Sequence, residues 1–467
     1  MLQAMRAAFT PRRPHRLRLV PNALFAAATV ATAAAGSGIA SAADNGNWTQ
    51  YRSTPTHNTH VSSGVEDLFS GAISTDGEVR ATPVVAGGKL FIGNHGTGAL
   101  QAYDLTDGRQ LWKSSAPNWV HSEMIYADGA VFVGYGNRFF NPDGTRGTGE
   151  SGVISLDPET GEERWRFPTP GEVMPTPVAL DGAVYAVTGD RHLYKLDATT
   201  GTELKNVDIG HVVSMSSPAE HDGTLYFGSG SPAPYTFQAY DTETESIAWQ
   251  HPLGEFDRGL DDVPPAVDED VVVTTGNATR LPGLSGPLEE HTIVAMDEAT
   301  GAELWRRPLG SGQAPDNNRS GAPTIADGTV FVGSPTTAAV YAFDLRTGEQ
   351  LWRNPIGKVL GAPVVSGGDV YFSTTAGDVY RVDKTTGAIN GKLELSGKLA
   401  PAGPIIVDDS LVVGSQSSHV YITPLSEVPD FTVPATSPLS SVVDPLGSAA
   451  TVSGSIGVDA GSLDAPY

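Results

Sequence analysis

The chain has no cysteine among its 467 residues, which excludes disulfide bridges, thiolate metal sites and thiol catalysis. Basic residues are scarce, with 29 Lys and Arg against 53 Asp and Glu and a formal net charge of −24. A surface of that sign repels nucleic acid and anionic lipid, so neither is expected as a partner. Solubility and salt tolerance are the plain reasons for such acidity. Only one extended apolar run occurs, the alanine-rich stretch 19–39, and its Ala, Thr and Gly content makes it a poor membrane span. No G-x-S-x-G, Walker or H-E-x-x-H pattern is present, so hydrolase, nucleotide and zincin chemistry have no support. What the chain does contain, 54 glycines, 34 prolines and 39% apolar residues, describes short strands joined by turns.

Residues 1–42 read as an export leader. Arg6, Arg12, Arg13, Arg16 and Arg18 form a basic head, the apolar run follows, and Ala40-Ser41-Ala42 is a small-residue cleavage site. An uncleaved anchor is the competing reading. The Arg12-Arg13 pair leaves general secretion and twin-arginine export both open. Cleavage removes five basic charges and no acidic ones, leaving 24 basic and 53 acidic side chains, a net of −29. The expected location is extracellular or in the cell envelope, with no membrane span after cleavage, and the mature chain is expected to be a monomer. Residues 426–467 are rich in Ser, Gly, Pro, Ala and Asp, carry no Lys or Arg, and predict a disordered tail.

Between these ends one short pattern is repeated. Ala342-Phe343-Asp344-Leu345-Arg346-Thr347-Gly348-Glu349-Gln350-Leu351-Trp352 reads A-x-D-x-x-T-G-x-x-x-W, a strand, a tight turn and a second strand. The aspartate accepts from turn N–H groups, the glycine takes positive φ, and the tryptophan is an apolar anchor. Other copies end at Trp112, Trp165, Trp249 and Trp305, and two more, around Asp197 and Asp383, lack the tryptophan. Seven copies at spacings of 39 to 56 residues indicate a repeat architecture. Each unit supplies an inner strand after a small-Pro dipeptide, a turn, a second strand, and the Asp/Gly hairpin. Inner strands are expected near Pro83, Met124, Pro177, Pro218, Pro265, Pro323, Pro363 and Pro404. These predict an all-β, eight-bladed propeller of four-stranded antiparallel blades over 43–425. The last unit lacks a fourth strand, and segment 68–74, running on into Glu78-Val79-Arg80, is expected to supply it and close the ring.

The hairpin resembles the tryptophan-docking motif of quinoprotein alcohol dehydrogenase-like propellers, in which each tryptophan packs between adjacent blades. Trp48-Thr49-Gln50-Tyr51-Arg52, followed by 56–61, is similar to the N-terminal segment of that family. The resemblance covers roughly residues 45–425 and implies two kinds of member. One binds pyrroloquinoline quinone and Ca²⁺ in the central funnel and oxidises alcohols. The other is a cofactor-free scaffold, like the lipoprotein propeller of the outer-membrane β-barrel insertion machinery.

The chain just before each inner strand should reach the channel mouth, where any site would lie. There blades one, two, five and six offer Arg80; His121 and Glu123; Asp261 and Asp262; and 316–319. The others offer Val173-Met174, Ser214-Met215, Val359-Leu360 and Leu399-Ala400. This is either a polar ligand site or a hydrated rim whose charges pair with one another. Among these mouth positions Arg80, His121 and Arg319 are the candidates to contact the quinone that the resemblance implies. Thr275-Gly276-Asn277 is similar to the segment whose asparagine carbonyl binds Ca²⁺, although an asparagine after glycine also suits a turn. Asp316 is the second metal candidate and the one catalytic candidate, because the family's general base aligns with Asn318, an amide that cannot take a proton. The family's vicinal cysteines are absent, and Glu150 sits four residues beyond the position of its glutamate ligand. His57, His60, His95 and His121 are conceivable imidazole ligands. Insertions at 137–150 and 277–290 are candidate recognition loops. The residues thus favour an exported binding or interaction scaffold without turnover, the alternative being a quinone- and calcium-dependent alcohol dehydrogenase with a divergent site.

Overall fold

The structure, a computed structural model, describes residues 46–283, 286–316 and 320–431. The expected leader, most of the C-terminal stretch and positions 317–319 lie outside the described residues. Each repeat forms a four-stranded antiparallel sheet, and eight such sheets follow one another as the blades of a propeller. The inner strands fall where the small-Pro dipeptides place them, from Val84–Ala86 in blade one to Ile405–Val407 in blade eight. Blade six is representative, with Pro323–Ala326, Thr329–Ser334, Ala339–Asp344 and Gln350–Asn354 paired in chain order.

Closure uses both ends of the domain. Gly71–Ser74 pairs antiparallel with His419–Pro424 and supplies the outer strand of blade eight. His60–Val61 adds a parallel strand at that blade's inner edge. Glu78–Val79 does not continue the outer strand as expected; it pairs with the end of Lys89–His95 in blade one. The reason is a local turn, in which Thr75 Oγ1 and Asn94 Nδ2 both donate to the Gly77 carbonyl, at 2.9 and 2.8 Å.

The repeated motif works between blades as well as within them. Asp344 Oδ1 accepts from the Thr347 N–H at 2.8 Å, which pins its own turn. Trp305 of blade five meanwhile donates its indole N–H to the Leu345 carbonyl in that turn, at 2.8 Å. The same bond joins Trp112 to Pro158, Trp165 to Ala198, Trp249 to Glu298 and Trp352 to Lys384, always the residue after the next blade's aspartate. The docking ring lies over the next blade's motif glycine, so a Cβ on Gly348 would stand 2.5 Å from the Trp305 ring. Gly348 therefore has two constraints, φ of +64° and the tryptophan above it. The irregular copies follow this rule. Blade three has no tryptophan, and blade four accordingly carries Glu245 at the glycine position, where it accepts from Lys195 Nζ at 2.7 Å. Blade eight has no tryptophan either, and Phe69 covers Gly108 of blade one instead.

Apolar clusters fill the spaces between blades, as where Trp305, Leu309, Tyr341 and Phe343 pack blade five on blade six. The 277–290 insertion continues two strands as a long hairpin, Val271–Gly283 with Gly286–Asp297. The 137–150 insertion is a loop drawn together by a bridge between Phe140 and Arg146. Past the last strand, Val428 is buried and Phe431 donates its N–H to Asn390 O at 3.0 Å, along the outer edge of blade seven.

Candidate functional site

The two ends of the channel are built differently. Where the inner strands finish, residues 48–61 run across the channel. Seven consecutive blades each donate one inner-strand N–H to this belt. Tyr126 donates to Trp48 O, Ala179 to Thr49 O, Val267 to Pro55 O, Ile325 to Thr56 O and Ile406 to Thr59 O, at 2.8 to 3.1 Å. Glu220 donates to Gln50 Oε1 and Val365 to Asn58 Oδ1, both at 2.8 Å. Inner strands are edge strands, and the belt satisfies donors that would otherwise face a narrow channel.

Arg52 anchors the belt. Its side chain is fully buried and donates to the carbonyls of His57, Ala402, Pro363 and Pro404 at 2.7 to 3.2 Å. Glu123 receives the Trp48 indole N–H and the Arg52 backbone N–H, both at 2.9 Å. Burial pushes its carboxyl up to about 7, against the pull of those hydrogen bonds. Glu123, expected at the mouth, is therefore a residue of the closed end.

At the other end the channel opens into a cleft of about 840 Å³ lined by blades one to five and by Ser418 of blade eight. Arg80 stands on one wall, donating to Gln416 Oε1 at 3.0 Å, with Glu78 3.4 Å from its Nε and His121 Nε2 3.5 Å from its Nη1. The His95 and His121 rings lie 4.3 Å apart, and Trp119 meets His95 edge-on at 4.7 Å. Burial first, then the neighbouring arginines, pushes His95 down to about 3. His121 is driven down by burial and then by His95 and Arg80. Both imidazoles are neutral at physiological pH, and the positive charge of this wall resides in Arg80 and Arg138. Opposite them stand Asp257, Asp261 and Asp262. Asp262 accepts from Ser214 Oγ at 3.1 Å, and burial, with these carboxylates, pushes the Tyr235 hydroxyl up. Below lies a chamber of about 50 Å³ whose floor includes Tyr51 of the belt. Arg80, His121, Met174, Met215 and Asp262 line both spaces and so form the neck between them. This arrangement can hold and orient a polar ligand, with anion-binding and cation-binding groups on opposite walls.

A family comparison matches residues 31–148, 145–281 and 289–427 to the outer membrane protein assembly factor BamB. The chain belongs to that family. It is 25% identical to BamB of Burkholderia pseudomallei over 363 residues, 76% of this chain and 87% of the relative. It is also 25% identical to the tetrathionate hydrolase of Acidithiobacillus ferrooxidans over 348 residues, 70% of this chain and 69% of that protein. Among solved structures, a quinohemoprotein alcohol dehydrogenase from Pseudomonas putida superposes with a TM-score of 0.58 at 15% identity, covering 84% of this chain and 82% of that one. The quinoprotein-like eight-bladed fold is thus shared between this BamB-family chain and the dehydrogenases.

Against this background the expected site residues divide. Arg80 and His121 meet in the cleft, whereas Arg319 lies outside the described residues. Asn277 is not in a turn; the extended hairpin holds it within a strand, fully buried, where its Nδ2 donates to Glu289 Oε2 at 3.0 Å. Asp316 lines a separate pocket of about 340 Å³ with Arg80, Lys358 and Lys398. Glu150 is exposed, 3.8 Å from Arg166. Asn277, Asp316 and Glu150 therefore do not converge as the calcium set of the dehydrogenases would require. Among the described residues, no group of three or more His, Asp or Glu is placed to hold a metal. The four histidines separate too, since His57 and His60 bond the Pro323 and Val365 carbonyls from the belt while His95 and His121 sit in the mouth. Trp119, Arg138, Lys358 and Lys398 are site residues that the sequence reading missed. The two lysines could have been found, because each stands one residue ahead of a position examined for the mouth. Among the described residues, no helix is long and apolar enough to cross a membrane.

Proposed function

We propose that this BamB-family propeller is an exported binding module of the cell envelope or exterior, monomeric, working through the mouth of its channel without catalytic turnover. One observation carries the reading. The belt accepts an inner-strand N–H from seven blades and covers one channel end, and the other remains an open, charged cleft above a closed floor. Such a cup has one face on which to receive a ligand or a segment of a partner protein.

The alternative is a quinone-dependent alcohol dehydrogenase. A bound quinone would supply the hydride acceptor, with Arg80 placed to hold an anionic ring substituent and Trp119 to contact the ring. Against it stand the buried, Glu289-bonded position of Asn277 and the amide at Asn318, where the dehydrogenases carry the base. Calorimetric titration of the mature chain with pyrroloquinoline quinone, with and without Ca²⁺, separates the two. The binding-module reading expects no calcium-dependent saturable heat, and its appearance together with alcohol-driven dye reduction would overturn that reading. The name of the Acidithiobacillus relative adds tetrathionate to the compounds worth titrating and assaying for cleavage.

A further inference from the structure

The eight lysines of this acidic chain are not distributed alike. Six of them lie within 4 Å of a carboxylate: Lys89 with Glu159, Lys113 with Asp76, Lys195 and Lys205 with Glu245, Lys384 with Asp327, and Lys392 with Asp378 and Glu394. The remaining two, Lys358 and Lys398, have no carboxylate partner among the described residues, and both line the 340 Å³ pocket at the mouth beside Arg80. Acids outnumber bases by 53 to 29, so unpaired lysines would be expected anywhere but together. Two ammonium groups around one pocket repel each other, and that repulsion is relieved when an anion sits between them.

The pocket's other residues sharpen the ligand class. Arg80 contributes a guanidinium shared with the main cleft, and Thr375 and Gln416 add polar groups. Pro315, Leu360 and Pro401 supply apolar surface against which a small carbon skeleton can rest. Asp316 is the single lining carboxylate and stands more than 4 Å from both lysines, so it leaves them unpaired. From this placement we infer that the pocket bordered by Lys358, Lys398 and Arg80 is a binding subsite for small oxyanions, of the carboxylate or sulfate class. It names a ligand class for the mouth and rests on reading that mouth as a binding surface.

The test is calorimetry on the mature chain at low, constant chloride, with sodium sulfate and sodium succinate as probes. A Lys358→Gln, Lys398→Gln double variant is compared with Lys384→Gln, which removes a lysine paired to Asp327 outside the pocket. Both pocket lysines are exposed, so the double variant should fold, and an unchanged thermal midpoint verifies it. The inference expects saturable binding of at least one probe, weakened about tenfold or more in the double variant and unchanged in Lys384→Gln. Added sodium chloride should weaken binding to the natural chain more steeply than to the double variant. Stronger sulfate binding would assign a tetrahedral head group, and stronger succinate binding a carboxylate. No saturable heat from either probe at tens of millimolar, or equal affinity in the double variant, would overturn the subsite. Those two results leave the binding-module reading standing, whereas quinone turnover would remove that reading without touching the anion measurement.

Discussion

The two ends of the channel use the same kinds of residue for opposite purposes. In the belt, Arg52, Glu123 and His57 are fully buried, and each makes its bonds to fixed backbone or indole groups. At the mouth, Arg80, His121 and Asp262 are half-buried and border open space. An arginine whose donors are spent on four carbonyls is part of the scaffold. One whose side chain borders the cleft, the chamber and the lysine pocket is available to a ligand. Charge alone does not mark a site; what the charge is bonded to does.

The largest expected effect comes from breaking the closed end. Arg52→Ala would strand four carbonyls in a dry interior and should destabilise the domain by about 3–5 kcal/mol, read from urea unfolding midpoints. The belt also has a pH signature. Glu123 is held protonated up to about pH 7 in the fold but titrates near its ordinary 4.5 when unfolded. The stability this contributes is fully present below pH 4.5 and is lost as pH rises through 7, about 3 kcal/mol in all. Glu123→Gln keeps an acceptor for Trp48 and Arg52 without titrating, so its thermal midpoint should fall less than that of the natural chain between pH 5 and 8. Between the two ends in size lies the blade seam. Gly348→Ala forces a Cβ against Trp305 at positive φ and should cost about 1–3 kcal/mol by the same unfolding assay. The smallest effects belong to the mouth, where Lys358→Gln or Lys398→Gln should change stability by less than about 0.5 kcal/mol while weakening anion binding. A mouth substitution that destabilised as strongly as Arg52→Ala would erase the contrast.

The blades could be read from the chain because each Asp/Gly/Trp hairpin is local, and its rule depends only on the next copy along. Even the exceptions follow, since Glu245 replaces glycine where the preceding blade has no tryptophan to cover it. Ring closure was legible from one missing strand and one spare segment. The belt was not, because its bonds join residues such as Arg52 and Pro404 across almost the whole chain. Alternation misled the reading of the mouth. His121 and Glu123 are two residues apart, yet one lines the cleft and the other turns to Trp48. Asn277 was obscured by its insertion, which reads as a loop but continues the strand pairing and draws the asparagine into the blade.

The contrast between the ends is tested most directly by amide hydrogen exchange on residues 43–467. The account predicts that the N–H groups of Ala179, Val267, Ile325 and Ile406, which the belt accepts, exchange only with global unfolding. An amide in the mouth loops that no backbone carbonyl accepts among the described residues, such as that of His121, should exchange orders of magnitude faster. Belt-bonded amides that exchanged as fast as those of the mouth would contradict it, and the channel would then have two open ends.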